Sequence, residues 1–135
     1  MDYADSDLHT YISQKSEEMP IKVIKKIFYQ ILKGVEEIHK NNIIHRDIKP
    51  QNILVKDNRI IKLADFGLAR GSGLPCKNIS EKVATLWYRP PDVILGNTNY
   101  SKSIDMWAVG CIMAQLFSEN RIEIYSFGKW VVVKL

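Results

Sequence analysis

Two short stretches of the 135-residue chain hold side chains with the means to do chemistry. The first is His45-Arg46-Asp47-Ile48-Lys49-Pro50-Gln51-Asn52. The second is Asp65-Phe66-Gly67, which begins 18 positions after Asp47. A carboxylate, an ammonium and two hard oxygen donors suit phosphoryl transfer, which asks for positioning and charge rather than covalent help. Asp47 can accept the proton of an acceptor hydroxyl. Lys49, two positions on along an extended loop, faces the same side and can reach a transferring phosphate. Asn52 and Asp65 offer oxygen ligands of the kind magnesium takes.

The elements that must position these residues are legible as patterns. After Pro20, a residue suited to a first helical turn, Ile24, Ile27, Phe28, Ile31, Val35 and Ile38 recur at steps of three and four. That spacing predicts one amphipathic helix of about 20 residues, ended by Asn41-Asn42. Ile43-Ile44 and Ile53-Leu54-Val55 are short apolar runs on either side of the polar loop. The turn signal Asp57-Asn58 and the run Ile60-Ile61-Lys62-Leu63 predict a hairpin that brings Asp65 back toward Asn52. Residues 67–82, rich in glycine and polar side chains, read as an exposed loop. From Ile104 to Leu116 the chain is apolar almost all round, so that helix, Trp107 included, is expected in the core. Residues 129–135 read as a short strand with no visible partner.

Composition narrows the function classes. Apolar residues make up 46% of the chain, enough for a core. The net charge of +4 is mild and its lysines are scattered, which argues against nucleic acid. Lys22, Lys25 and Lys26 read as a solvated helix face, with a docking patch as the other reading. The longest apolar run falls short of the roughly 20 residues a bilayer requires. Cys76 and Cys111 have no partners at metal-ligand spacing and read as thiols of a reducing compartment. His9 and His39 read as ordinary exposed or helix-face histidines, and His45 as a loop support.

The two motifs together resemble those of eukaryotic protein kinases. A chance match of eight letters, at roughly one in twenty each, is negligible. Lys49 marks the Ser/Thr class. Longer stretches are similar to the cyclin-dependent type: Leu63-Ala64-Asp65-Phe66-Gly67-Leu68-Ala69-Arg70, then Ala84-Thr85-Leu86-Trp87-Tyr88-Arg89-Pro90-Pro91-Asp92, and Tyr100-Ser101-Lys102-Ser103-Ile104-Asp105-Met106-Trp107. The 27 positions from Asp65 to Asp92 match that family's activation segment. The resemblance runs from Met1 to about Phe117.

It implies an α+β, mainly α fold: a kinase-like C-lobe with a small β-hairpin at the catalytic loop and no N-lobe. It divides the chain into a partial kinase domain, residues 1–117, and a tail without resemblance, residues 118–135. The implied function is transfer of the γ-phosphate of ATP, with Mg2+, to Ser or Thr, with proline favoured after the acceptor. Asp47 would be the base, Lys49 the phosphate-contacting cation, and Thr85 would hydrogen-bond to both. Asn52 and Asp65 would hold magnesium. Asp7 would lie near the ribose, Leu54 under the adenine, and Ala64 beside Asp65. Val83 and Ala84 would shape the pocket next to the acceptor, and Asp105 would hold the His45-Arg46 backbone. Ser80 falls where the family carries an activating phosphate, which would pair with Arg46 and Arg70. The implied partners are a cyclin-like subunit and Ser/Thr-Pro protein substrates, with no nucleic acid and no membrane, in the cytoplasm or nucleus.

Three departures temper these expectations. The family's glycine-rich loop, strand lysine and helix glutamate are not in the sequence, so a fragment inactive alone is expected. The alternative reading is a non-catalytic remnant or gene-model fragment, at most an interaction module. Asp92 replaces the family's glutamate after the prolines and is expected to be a buried, unpaired carboxylate. The helix after Asp105 is expected to expose an apolar patch for want of its usual cover.

Overall fold

The computed structural model describes residues 4–15, 19–57, 60–71, 86–97 and 101–118, together with two further strands, Ile124–Phe127 and Trp130–Val133. Among the described residues the fold is mainly helical with small antiparallel sheets. A two-residue strand, β1 (Ser6–Asp7), leads into helix α1 (Leu8–Ser13), then the long helix α2 (Ile21–Lys40) and β2 (Ile43–Ile44). A 3-10 turn at Pro50–Asn52, the first of three among the described residues (the others at Phe66–Leu68 and Leu86–Tyr88), precedes the hairpin of β3 (Ile53–Lys56) and β4 (Ile60–Leu63). Strand β5 (Arg70–Gly71), helix α3 (Pro91–Ile94), helix α4 (Ser103–Ser118), β6 (Ile124–Phe127) and β7 (Trp130–Val133) complete the order.

Helix α2 forms where the apolar spacing predicts it. Ile24, Ile27, Ile31 and Val35 are its buried stripe, and the stripe packs on β4 and α4. Asn41 caps the C-terminus and Asn42 follows in the left-handed region at φ 56°, a conformation asparagine tolerates. Gly34 sits where α2 passes closest to the hairpin, since a Cβ there would lie 3.2 Å from Leu63 Cδ1. The absence of that side chain is what allows helix and sheet to approach so closely.

The sheet order is β1-β3-β4, all antiparallel. Asp7 pairs with Leu54 across β1 and β3, and Ile53 with Leu63 across the hairpin. Asp57 makes the turn at φ 52°, and its N–H is accepted by the Asp5 carboxylate. Leu8, Ile31, Ile53, Ile112 and Leu116 lie at the centre of one apolar core shared by the helices and β3.

Two expectations change here. Helix α4 buries Ala108, Val109, Ile112 and Leu116, but Trp107 is 40% exposed and Phe117 50%. One face alone of this nearly all-apolar helix enters the core, so Trp107 is not a core residue, whereas the expected exposed apolar patch is present. The strand foreseen near the end does have a partner, because β7 pairs antiparallel with β6 from Ile124↔Val133 to Phe127↔Trp130. The polar start of residues 118–135 hides that first strand. No helix among the described residues is long and apolar enough to cross a membrane.

Candidate active site

The loop between β2 and the 3-10 turn is held from below by one carboxylate. Asp105, in the first turn of α4, is fully buried. Its Oδ2 accepts the His45 N–H at 2.9 Å, and its Oδ1 accepts the Arg46 N–H at 2.9 Å. Arg46 stands at φ 71°, a left-handed conformation that costs a side-chain-bearing residue on the order of 1–3 kcal/mol unless its surroundings impose it. The two bonds to Asp105 impose it. This is the role the resemblance implies for Asp105.

A third group shares that carboxylate. His39 Nε2 lies 2.7 Å from Asp105 Oδ2, and the His39 side chain is 13% exposed. His39 is therefore not an ordinary helix-face histidine but a tie between α2 and α4. The available signal is its spacing, four positions after Val35 on the buried stripe, which places it at the core edge. Removing the imidazole by His39→Ala is expected to lower unfolding stability by about 1–2 kcal/mol, since a hydrogen bond to a charged group is lost. Urea titration measures it, and a change under about 0.5 kcal/mol would show the tie to be idle.

His45 is fully buried and supports the loop as expected. Its Nε2 faces the Ala64 carbonyl at 3.0 Å, and its Nδ1 accepts the Asp47 N–H at 3.4 Å. Those partners assign the tautomer with the proton on Nε2. Its ring also packs on Phe66, with centroids 4.8 Å apart.

Above this support the polar side chains converge. Lys49 Nζ donates to Asp47 Oδ2 at 2.8 Å, and Asn52 Nδ2 donates to the same oxygen at 2.9 Å. Asn52 Nδ2 also donates to the Asp47 carbonyl at 2.8 Å. With both donors on Oδ2, Oδ1 is the carboxylate oxygen left to meet a hydroxyl. The 3-10 turn, begun by Pro50 and closed by the Asn52 N–H on the Lys49 carbonyl at 2.9 Å, sets this spacing. Asp47 and Lys49 side chains are 15% and 18% exposed, so their pairing is only partly screened by water.

Asp65 arrives through the hairpin register. Beyond the Ile53↔Leu63 pair, the Ala64 N–H donates to the Asn52 carbonyl at 2.9 Å. Asp65 follows at φ 60°, its carboxylate accepting the Gly67 N–H at 3.3 Å. The backbone thus carries Asp65 to the neighbourhood of Asn52, as the turn at residues 57–58 predicts. The donor chemistry fits magnesium: the Asn52 amide turns its nitrogen to Asp47, which leaves its oxygen as a hard donor, and the Asp65 carboxylate supplies a second such donor. Among the described residues no cluster of three or more His, Cys, Asp or Glu exists to hold a metal by protein ligands alone.

Two of the residues expected around a nucleotide, Asp7 and Leu54, fall on one sheet. Leu54 on β3 lies between Asp7 and Lys62 in the register. Asp7 caps α1: its two carboxylate oxygens accept the Thr10 N–H at 2.9 Å and the Thr10 hydroxyl at 2.8 Å. Burial pushes this carboxyl up, but the bonds from Thr10 outweigh it and hold it below the ordinary carboxylate range. Asp7→Ala is expected to cost about 1 kcal/mol, as for a lost N-cap. Because the folded value is depressed, this contribution is present above the unfolded carboxyl value of about 4 and is lost as pH falls through the lower folded one. Thermal melts of both proteins should differ at neutral pH and converge in acid, and a gap that persists in acid would refute the carboxylate cap.

Arg46 and Arg70 are drawn near each other along the chain, since Arg70 pairs with Ile44 across β2 and β5. Ser80, Val83, Ala84 and Thr85 lie outside the described residues. Asp92 departs from expectation: it is exposed, in the first turn of α3, and its Oδ2 accepts the Asn97 amide at 3.1 Å. It is not a buried unpaired charge, and the cost foreseen for it does not arise. Tyr88, nearby, donates its hydroxyl to Gln115 at 2.7 Å, and burial, with Cys111 close by, pushes the phenol up to about 12.

The arrangement is a strained, carboxylate-braced loop presenting an Asp–Lys–Asn set beside an Asp-Phe-Gly turn, and residues 1–125 match the family described as "Protein kinase domain". The chain belongs to the protein kinase family. Within that family its similarity is to the cyclin-dependent Ser/Thr type: it is 47% identical over 117 residues to "Cyclin-dependent kinase 17" of Caenorhabditis elegans. That match covers 87% of this chain and 18% of the relative, so the chain spans under a fifth of the length of the curated relative it matches.

Proposed function

We propose that the site transfers the γ-phosphate of MgATP to serine or threonine in protein substrates, preferring proline after the acceptor. The observation that carries this is the convergence on Asp47 of Lys49 and Asn52, with Asp65 delivered beside Asn52 by the hairpin. Asp47 Oδ1 takes the hydroxyl proton as the acceptor oxygen bonds to the γ-phosphorus and the bond to the departing ADP oxygen breaks, and the Lys49 ammonium, beside the same carboxylate, offsets the charge on the moving phosphoryl group. Asn52 and Asp65 would hold magnesium, which when bound neutralises the phosphates. Leu54 and Ala64 would line the nucleotide with Asp7 at the ribose, while Thr85, Val83 and Ala84 would serve the acceptor side. A phosphorylated Ser80 would draw Arg46 and Arg70 together. The assignment extends to a C-lobe unit over residues 1–117 with a distinct 118–135 tail, a cyclin-like partner, and the cytoplasm or nucleus as location.

A second reading is favoured by one observation. Asp65, Phe66, Gly67 and Leu68 are all exposed, whereas phosphoryl transfer works in a site closed to water. On that reading the chain by itself is a non-catalytic interaction module. Titration of the purified chain with MgATP, followed by phosphate transfer to a Ser-Pro peptide, separates the two. Saturable binding lost in Asp65→Asn, with transfer reduced when alanine replaces the proline, supports the kinase. No nucleotide binding at millimolar ATP refutes it for this chain.

A further inference from the structure

Among the described residues, one groove lies away from the catalytic loop. Helices α1 and α2 and the β3–β4 hairpin bound a groove of about 460 Å³. Its floor is apolar and buried: Tyr11 of α1, Ile27 of α2 and Val55 of β3. Half-buried Val23 and Ile61 form its walls, with Gln30 and the exposed Lys26 at the rim. The volume lies within the range that accommodates a bound ligand, roughly 300–1,000 Å³.

Among the described residues the charge at this rim is of one sign. Lys22 lies one turn before Lys26 on the same helix face, and Lys25 adjoins them; all three are exposed. Lys15, at the end of α1, sets its ammonium 4.7 Å from the centre of the Tyr11 ring. Among the described residues none of these four lysines is in an ion pair, and no carboxylate lines the groove. Helix α2 has no acidic residue in its first turn and no side-chain cap at Pro20. Lysines near a helix N-terminus oppose the helix dipole, so the fold gains nothing locally from placing them there. An anion brought to this rim would be favoured by lysines and helix end alike.

The hairpin edge limits how a partner can enter. The outward N–H of Ile61 is already taken by Gln30 Oε1 at 3.1 Å. A partner strand cannot extend the sheet at that position, so recognition falls to side chains entering the groove. We propose that this groove docks a short acidic–apolar segment of a partner protein. Its apolar side chains seat between Val23, Ile27, Val55 and Ile61, and its flanking carboxylates pair with Lys26, Lys22 and Lys15. The groove is separate from the Asp47 site, and its occupation does not depend on phosphoryl transfer.

Fluorescence anisotropy of the 135-residue chain tests this directly. The probe is a short fluorescein-labelled peptide with paired leucines flanked by glutamates. Binding is expected to weaken by about tenfold in the double variant Lys22→Glu, Lys26→Glu, whose sites are exposed and leave the core intact. It should weaken similarly when serines replace the peptide leucines, a comparison that leaves the protein unaltered. Binding should also fall as salt rises. Equal affinity for a peptide with lysines in place of the glutamates overturns the proposal. So does unchanged affinity in the charge-reversed variant, or sedimentation as a dimer that the peptide fails to dissociate, which would give the groove to a second copy.

Discussion

Replacing Asp105 with alanine is expected to destabilise the chain by about 2–5 kcal/mol. Two backbone N–H groups, of His45 and Arg46, lose their acceptor in a site closed to water, at about 1–3 kcal/mol each. The left-handed Arg46 also loses the bond that holds it there. Asp105→Asn should cost nearly as much, because an amide has one acceptor oxygen and turns a donor toward a second donor. The control is Asp92→Asn at an exposed carboxylate, expected within about 0.5 kcal/mol of the parent. Urea unfolding of the three variants measures the differences. A loss below about 1 kcal/mol in Asp105→Ala would mean that water reaches the loop and the bracing is dispensable.

The second large effect is catalytic and rests on the proposed phosphoryl transfer. Asp47→Asn is expected to lower phosphate transfer to a Ser-Pro peptide by about 10²–10⁴-fold, the range of a lost general base. The amide keeps the shape of the side chain and an oxygen for the Lys49 ammonium, so nucleotide affinity should stay within a few fold of the parent. That split, with turnover lost and binding kept, separates a reacting group from a positioning one. Residual transfer above about a tenth of the parent rate would remove Asp47 from the base role. Circular dichroism of the variant checks that the loop survives, since Lys49 and Asn52 both lose a charged partner.

Much of this site is legible in the order of residues alone, for local reasons. Asp47, Lys49 and Asn52 lie within six residues, and a short loop with a proline has few conformations in which to place them. Helix α2 declares itself through Ile24, Ile27, Ile31 and Val35, because a helix that buries one face must repeat near 3.6 residues. The hairpin from Ile53 to Leu63 is equally visible, and with it the approach of Asp65 to Asn52, because antiparallel pairing across a short turn fixes register.

What stays hidden is non-local. His39 meets Asp105 across 66 positions: its spacing after Val35 can place it at the core edge, but no local pattern names a partner so far along the chain. The burial expected of Asp92 fails because its exposure depends on how α3 lies, not on its neighbours in sequence. The apolar character of α4 does not reveal which face is covered; the packing of α2 against it decides that Ile112 is buried and Trp107 is not. The basic groove likewise exists only once α1, α2 and the hairpin are assembled. The sequence by itself determined the family, the candidate site residues and the elements that carry them, since those depend on short-range spacing. Only the tertiary structure decided which carboxylate braces the loop, which histidine shares it and where the lysines find an apolar floor, because burial is a property of what packs against a residue.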